Sequence, residues 1–534
     1  MQFFLNPKKK LKKIFERSIQ YFRGPSSDYD TWIKNHEKQS KIKKIYQKHL
    51  SYTPKISVIM PVWNTDERWL NLAIQSVINQ YYHNWELCIA DGHSTDPRIR
   101  KILKDYSRKD RRIRTTFLPE NKGIAGNTNE ALSLADGSYV TFLDHDDELP
   151  PACLFEIVNL LNENKNYDII YTDNDKIDEN GTRSDPFFKF DFSLPALLST
   201  NYPFHLFLCR KSLVDNVGGF RYGYDGAQDY DLILRVVERT TPEKIAHIDK
   251  ILYHWRMIRE SSAHSSAAKP YAYSAGKAVL EDYLVRNDIR GVVEELEPGS
   301  YHVKKECLRN QKIIIVIISS GNKNDPFIKD LHCFLQKTTY PVKKKLIPDI
   351  YKNDITGPDI QFFDNKSKDC FFTKILKTEN PDNVIFISDE WNFGESFHAN
   401  PRWIEALTEH FSFDKVGIIG TGSLVFPNII CNVERPCGPV FCGRQEIIDT
   451  FFKQLPAELS YDELQIQLSD FSRQMNYSNI FTPFCIGNNP QYQKVSQYYK
   501  NFNKRSHFTK NMEFYLPDSV VSKNRENYMY WRKK

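Results

Sequence analysis

PKISVIMPVWN, residues 54–64, is a nearly unbroken apolar run that ends in a proline and, three residues later, an asparagine. Apolar and β-branched residues without polar alternation fit a strand covered on both faces. Working outward, the apolar spacing turns helical from Arg68 to Gln80, and WELCIADG (85–92) is strand-like again. A charged helical stretch leads to IRTTFLPE (113–120), GIAGNTNEALSLA (123–135) reads as a helix, and SYVTFLD (138–144) as the next strand. Strand starts recur at roughly thirty-residue intervals, the length of a βαβ unit. The pattern predicts an α/β layer: a mainly parallel sheet flanked by helices.

Ligands of such sheets bind beyond the carboxyl ends of the strands. Each predicted strand here exits into polar residues: PVWN with Asn64, DGHSTD with Asp91 and Asp96, ENKG, and DHDDE (144–148). Any one exit is explicable as turn chemistry, because Asp, Asn, Gly and Ser favour loops. Four on one edge point to a site.

The chain has 534 residues, which predicts two or three domains. A net charge of +6 is too weak to indicate nucleic acid, and it suits an anionic ligand or an acidic membrane surface. Ten cysteines occur without a CxxC pair, and Cys431, Cys437 and Cys442 lack the paired spacing of a zinc site. Free thiols in a reducing cytoplasm are the expectation. No apolar run has the length of a membrane span. The start, MQFFLNPKKKLKKIFERSIQYFRG, carries charge where a secretion signal needs an apolar core. Residues 1–23 fit two readings, an interfacial basic helix touching a membrane or an ordinary solvated one. The expected location is therefore the cytoplasm, and the interfacial reading of residues 1–23 would add peripheral contact at the inner face of its membrane. GxxxxGK[ST], a dinucleotide fingerprint and GxSxG are all absent.

Adjacent carboxylates at a strand exit repel one another unless a cation offsets them; Mg²⁺ or Mn²⁺ does so and keeps positions for substrate phosphates. A solvated loop is the plain alternative for DHDDE alone. In GGFRYGYDGAQDYDLILRVVER (218–239), Leu232, Ile233 and Val236 mark a buried helix face, with Asp229 near its start. That carboxylate is either a cap or a general base at the mouth of the cleft. In KILYHWRMIRESSAHSS (250–266), a strand-like run ends at His254 and Trp255 and passes into a small-residue loop carrying Arg256 and Arg259. His254 could complete a metal site, and the arginines could meet phosphates on a lid.

With these pieces in order, residues 53–300 resemble the inverting GT-A glycosyltransferases of family 2. The resemblance rests on PVWN (61–64), ADGHSTD (90–96), ENKGIAGNTNEAL (120–132), FLDHDDEL (142–149), GGF (218–220), AQDYDLILR (227–235) and YHW (253–255). It implies a nucleotide-sugar donor whose base is held by Asp91, with Pro61 and Asn64 lining the pocket. It implies that Asp144 and His145 approach the ribose, that Asp146 and His254 bind a divalent metal, and that Asp229 deprotonates the acceptor hydroxyl. Ala90 and Gln228 depart from the family, which often has Asp and Glu at these positions.

A third zone repeats the second: QKIIIVIISSGN (311–322) parallels PKISVIMPVWN, and NVIFISDEWN (383–392) parallels the fourth strand and its acidic exit. The tandem layout resembles two-domain enzymes of bacterial surface-polysaccharide assembly, whose linker runs through a stretch like EPGSYHVKKE (297–306). The expected organisation is a basic helical segment (1–52), a catalytic GT-A domain (53–300) and a degenerate GT-A-like domain (311–534). The second copy has Ser388, Asp389 and Glu390 at its acidic exit, Asp462 and Glu463 near the base position, and TPFCIGNN (482–489) where YHW would stand. It is expected to be non-catalytic. The expected activity is transfer of a sugar to a hydroxyl of a polysaccharide or lipid-linked glycan; the competing expectation is a non-catalytic nucleotide-sugar- or glycan-binding scaffold.

Overall fold

The structure, a computed structural model, describes residues 26–37, 50–189, 191–258, 270–306 and 311–319, then parts of 324–481 and the strands at 512–514 and 531–533. The opening stretch forms β1 (Ile56–Val62), buried at every residue. Its side chains alternate between two cores. Ile56, Val58, Met60 and Val62 enter one cluster and Ile59 the other, which is why no polar alternation was visible.

β2 (Trp85–Asp91), β3 (Ile113–Phe117) and β4 (Tyr139–Phe142) complete a parallel unit in the order β3-β2-β1-β4. β5 (Ile169–Ile177), β6 (Arg183–Phe187), β7 (Phe207–Arg210) and β8 (Ile245–Arg256) extend it. β7 runs antiparallel to both β4 and β5, and β8 runs parallel to β5. Two antiparallel steps restore the direction, so β5 and β8 open on the same edge as β1–β4. The expected α/β class, with a mainly parallel sheet, is what forms.

The first two helices of this domain start at recognisable caps. Asp66 accepts a bond from the Arg68 amide at 2.7 Å to start Glu67–Ile78, which buries Trp69, Leu70, Ala73, Ile74 and Val77. Asp96 does the same for Pro97–Lys109, with Pro97 in the first turn, so this exit carboxylate is a cap. EPGSYHVKKE belongs to a hairpin of β9 (Gly291–Glu297) and β10 (Ser300–Lys305), whose Tyr301 and Val303 join the first domain's core.

The second sheet begins with β11 (Ile313–Ile318), β12 (Lys344–Pro348), β13 (Ile360–Phe363) and β14 (Asn383–Ser388). It continues through β15 (Val416–Gly422), β16 (Cys431–Val433), β17 (Cys437–Arg444) and β18 (Ser478–Phe481). Its order, β13-β12-β11-β14-β17-β15, matches β3-β2-β1-β4-β7-β5. The strand directions match too: β14–β17 and β15–β17 are antiparallel, and β15–β18 is parallel like β5–β8. The sequence repeat is therefore a repeat of topology.

Candidate functional site

The exits of β1, β2 and β3 interlock. Pro61 is buried and registers with Ala90 across the parallel pair. Asn64 takes a left-handed backbone (φ 47°), and its side-chain oxygen accepts bonds from the Thr95 amide at 2.8 Å and hydroxyl at 3.1 Å. Its own amide donates to the Ser94 hydroxyl at 3.0 Å. Asp91, 3% exposed, accepts from the Ser94 amide at 3.1 Å. Behind this loop the buried Asn127 binds the Lys122 amide and the Asn121 side chain. A Cβ at Gly92 would stand 2.2 Å from the Asn127 amide nitrogen, so the second exit needs glycine. Asn127 was legible only as part of the ENKGIAGNTNEAL stretch, not as the lock between two exits.

The fourth exit is clasped by the end of β8. The Tyr253 hydroxyl donates to Asp147 at 2.5 Å, and the Arg256 amide donates to the other oxygen of that carboxylate at 2.7 Å. Glu148 and His254 exchange backbone bonds of 3.2 and 2.9 Å. The Arg256 guanidinium donates to the Asp146 carbonyl at 2.7 Å, the Asp178 carbonyl at 3.3 Å and the Glu148 carboxylate, and it lies 4.4 Å over the Trp69 ring. Arg256 was expected on a lid with a phosphate-binding role. The structure corrects this: it is the last residue of β8, 1% exposed, with Nε and one terminal nitrogen bracing the acidic turn and the other terminal nitrogen on the Asp178 carbonyl after β5. The apolar run stops at Trp255, but pairing with β5 carries the strand one residue further. Arg259 and residues 1–23 lie outside the described residues.

Asp147 is not a solvated flank of the motif either. It is 1% exposed, and burial, then the charges of Asp146 and Asp144, push its carboxyl well above the usual carboxylate range. Ligand atoms of Asp144, Asp147 and His205 lie within 4.8 Å of one another. His205 was not singled out from the sequence, where it is one histidine before the short strand β7. Burial and the nearby Lys189 hold its imidazole well below its ordinary value, in the neutral form that ligates metals. Two mutually repelling carboxylates and a neutral imidazole make a donor set that fits Mn²⁺ or Mg²⁺. His145 and Asp146 sit within the same turn, with His145 Nδ1 and an Asp146 carboxylate oxygen 4.0 Å apart.

His254 meets a carboxylate by its other route. Its Nδ1 is 2.5 Å from Asp175, a fully buried residue of β5. Burial pulls the Asp175 carboxyl up, but His254, Arg183 and Tyr29 outweigh it and hold it below its ordinary value. With Nδ1 engaged, Nε2 is the ring nitrogen left to act as a ligand.

Asp229 and Asp231 share a helical turn but stand in opposite electrostatic surroundings. Both lie in the first turn of the helix Gln228–Val237, whose N-cap is Ala227. Asp231 is buried between Arg221 and Arg235, and its carboxyl is lowered because those bonds outweigh burial. Asp229 has no cationic partner among the described residues; it accepts the Asn201 amide at 2.9 Å, and burial, only partly offset by backbone amides and Asn201, raises it to about 6. Asn201 was another residue the sequence did not single out, and its amide oxygen is buried without a partner among the described residues.

Residues 57–218 match the family model described as glycosyl transferase family 2. An uncharacterized protein of Sinorhizobium fredii is 43% identical over 64% of this chain and 38% of its own length. An O-antigen biosynthesis protein of Myxococcus xanthus is 30% identical over 71% of this chain and 30% of its own length. The chain thus spans well under half of these two relatives. EpsE of Bacillus subtilis, described as a candidate glycosyltransferase, is 30% identical over 48% of this chain and 96% of its own length. A relative 30% identical and so fully covered, together with the matching family model, makes this chain a member of glycosyl transferase family 2.

Proposed function

We propose that the chain is a metal-dependent inverting glycosyltransferase, which moves a sugar from a nucleotide-sugar donor to a hydroxyl of a polysaccharide or lipid-linked glycan. The observation that carries this reading is Asp229, a carboxyl raised to about 6 by burial, which accepts the Asn201 amide and has no cationic partner among the described residues. Such a group is mostly ionised at neutral pH and still basic enough to take a proton. Asp229 accepts the proton of the acceptor hydroxyl while that oxygen attacks the anomeric carbon, breaking its bond to the diphosphate in one displacement. Asn201 holds the Asp229 carboxylate in place.

Asp91 receives the nucleotide base beside Pro61 and Asn64, and Asp144 and His145 approach the ribose. A divalent cation, when bound, stabilises the diphosphate leaving group. Asp144, Asp147 and His205 would hold it, with Asp146 and His254 as the further ligands anticipated from the sequence. The O-antigen assignment of the Myxococcus relative supports a surface-polysaccharide acceptor.

The second copy is proposed as non-catalytic. Its Asp389 is 1% exposed, and the Tyr351 hydroxyl binds the carboxylate at 2.6 Å. Glu390, Asp462, Glu463 and residues 482–489 lie outside the described residues. No described helix is long and apolar enough to cross a membrane, and contact through residues 1–23 at the cytoplasmic face remains part of the proposal.

A panel of nucleotide-sugars with and without Mn²⁺ tests the reading. Metal-dependent release of nucleoside diphosphate from one donor is expected. No turnover, with no metal-dependent thermal stabilisation by UDP, GDP or dTDP, would favour the scaffold reading.

A further inference from the structure

The helix Ser26–His36 stands outside the strand-and-exit pattern that defines the first domain, yet it reaches the candidate site through a chain of buried polar contacts. Tyr29, 4% exposed, donates its hydroxyl to Asp175 Oδ2 at 2.7 Å across 146 residues of sequence. Arg183 of β6 donates to the same oxygen at 2.5 Å and to the Tyr29 hydroxyl at 3.1 Å. Just after the helix, Glu37 takes the Arg183 guanidinium in two bonds of 2.6 and 2.8 Å. Trp32 stacks on Tyr29 at 5.7 Å and meets Phe188 edge-on at 5.1 Å, which seats the helix on the stretch following β6.

Asp175 therefore spends one oxygen on Tyr29 and Arg183 and the other on His254 Nδ1. A carboxylate tied at both oxygens cannot turn, and the imidazole it holds keeps one orientation and offers Nε2. A fully buried carboxylate also depends on those donors, because losing one leaves charge that burial penalises.

We propose that the helix Ser26–His36 is a positioning element of the transferase site, acting through Tyr29 and Glu37 on Asp175 and Arg183 and thereby on the His254 imidazole. Tyr29, Glu37, Arg183 and Asp175 touch neither donor nor acceptor; their role is to fix His254. The inference rests on the metal-dependent reading above and adds a second requirement, that the site is complete only with this helix docked.

Full-length wild type, Tyr29→Phe, Glu37→Gln and Asp175→Asn are compared by Mn²⁺ binding, read from the free-ion paramagnetic resonance signal, with thermal midpoints recorded alongside. Asp175→Asn is expected to weaken Mn²⁺ by roughly 10–100-fold, the range for loss of a carboxylate that orients a ligating histidine. Tyr29→Phe and Glu37→Gln are expected to weaken it several-fold. Wild type that binds Mn²⁺, with all three variants equal to it, overturns the positioning role even if their midpoints fall. Weakening by Asp175→Asn alone overturns the part assigned to the helix. Wild type that binds no Mn²⁺, with or without UDP, overturns the metal reading and this inference with it.

Discussion

The two sheets of this chain share a strand order and strand directions but differ at their exits. In the first copy β2 leaves through Asp91 and Gly92, a loop held open by its own Ser94 and by Asn127 packed where a side chain would stand. In the second, β12 leaves through a short 3-10 turn, Asp349–Tyr351, whose tyrosine is fully buried and binds the acidic exit. Apolar alternation suffices to keep the fold, since Ile313, Ile315 and Ile317 fill one core and Ile314, Val316 and Ile318 the other, much as β1 does. The two copies differ in what closes the acidic exit: in the first, Tyr253 and Arg256 of β8 hold Asp147, whose ligand atoms lie within 4.8 Å of those of Asp144 and His205, and in the second, Tyr351 after β12 holds Asp389.

That difference can be broken by substitution. The largest effect is expected at Asp229: Asp229→Asn should lower kcat by roughly 10²–10⁴, the scale of general-base catalysis, with nucleotide binding retained. Unchanged turnover would remove the base assignment. Because the carboxyl stands at about 6, kcat of the wild type should fall as pH drops through that value. The sign for stability is opposite to that of a salt-bridged aspartate. A carboxyl raised by folding costs stability above its folded value and relieves that cost as it protonates, so Asp229→Asn should melt no lower than wild type at pH 8. A large loss of melting temperature would mean that Asp229 is a structural cap.

A smaller effect is expected at the clasp. Arg256→Ala removes the brace of the acidic turn and leaves the Glu148 carboxylate and two carbonyls short of a donor. A destabilisation of about 2–3 kcal/mol should appear in urea unfolding, together with weaker Mn²⁺ binding. If activity and Mn²⁺ binding survive intact, the turn is held by Tyr253 and the backbone alone. Smallest of all, Tyr351→Phe in the second copy should cost about 1 kcal/mol of stability and leave donor turnover within experimental error.

The strand exits were legible because apolar runs that end abruptly in Asn, Asp and Gly need only local reading, and the tandem repeat was legible because PKISVIMPVWN and QKIIIVIISSGN align by eye. Asp229 was visible from the helix face formed by Leu232, Ile233 and Val236. What stayed hidden depends on long-range pairing. His205 joins Asp144 and Asp147 only because β7 lies beside β4, and Asp175 meets His254 only because β5 pairs with β8. Tyr29 reaches Asp175 from before the first strand, with no periodicity to announce it. Asp96, which looked like a site residue, caps a helix, and local sequence cannot tell a capping carboxylate from a ligand-binding one.

The central claim, that the first copy carries the transfer and the second does not, is tested most directly by one side-by-side assay. Wild type, Asp229→Asn and Asp389→Asn are given the same nucleotide-sugar panel with Mn²⁺, and release of nucleoside diphosphate is measured. The account expects one donor to be turned over by wild type and by Asp389→Asn at equal rates, and by Asp229→Asn hardly at all. Turnover that survives Asp229→Asn, or that is lost with Asp389→Asn, would contradict it.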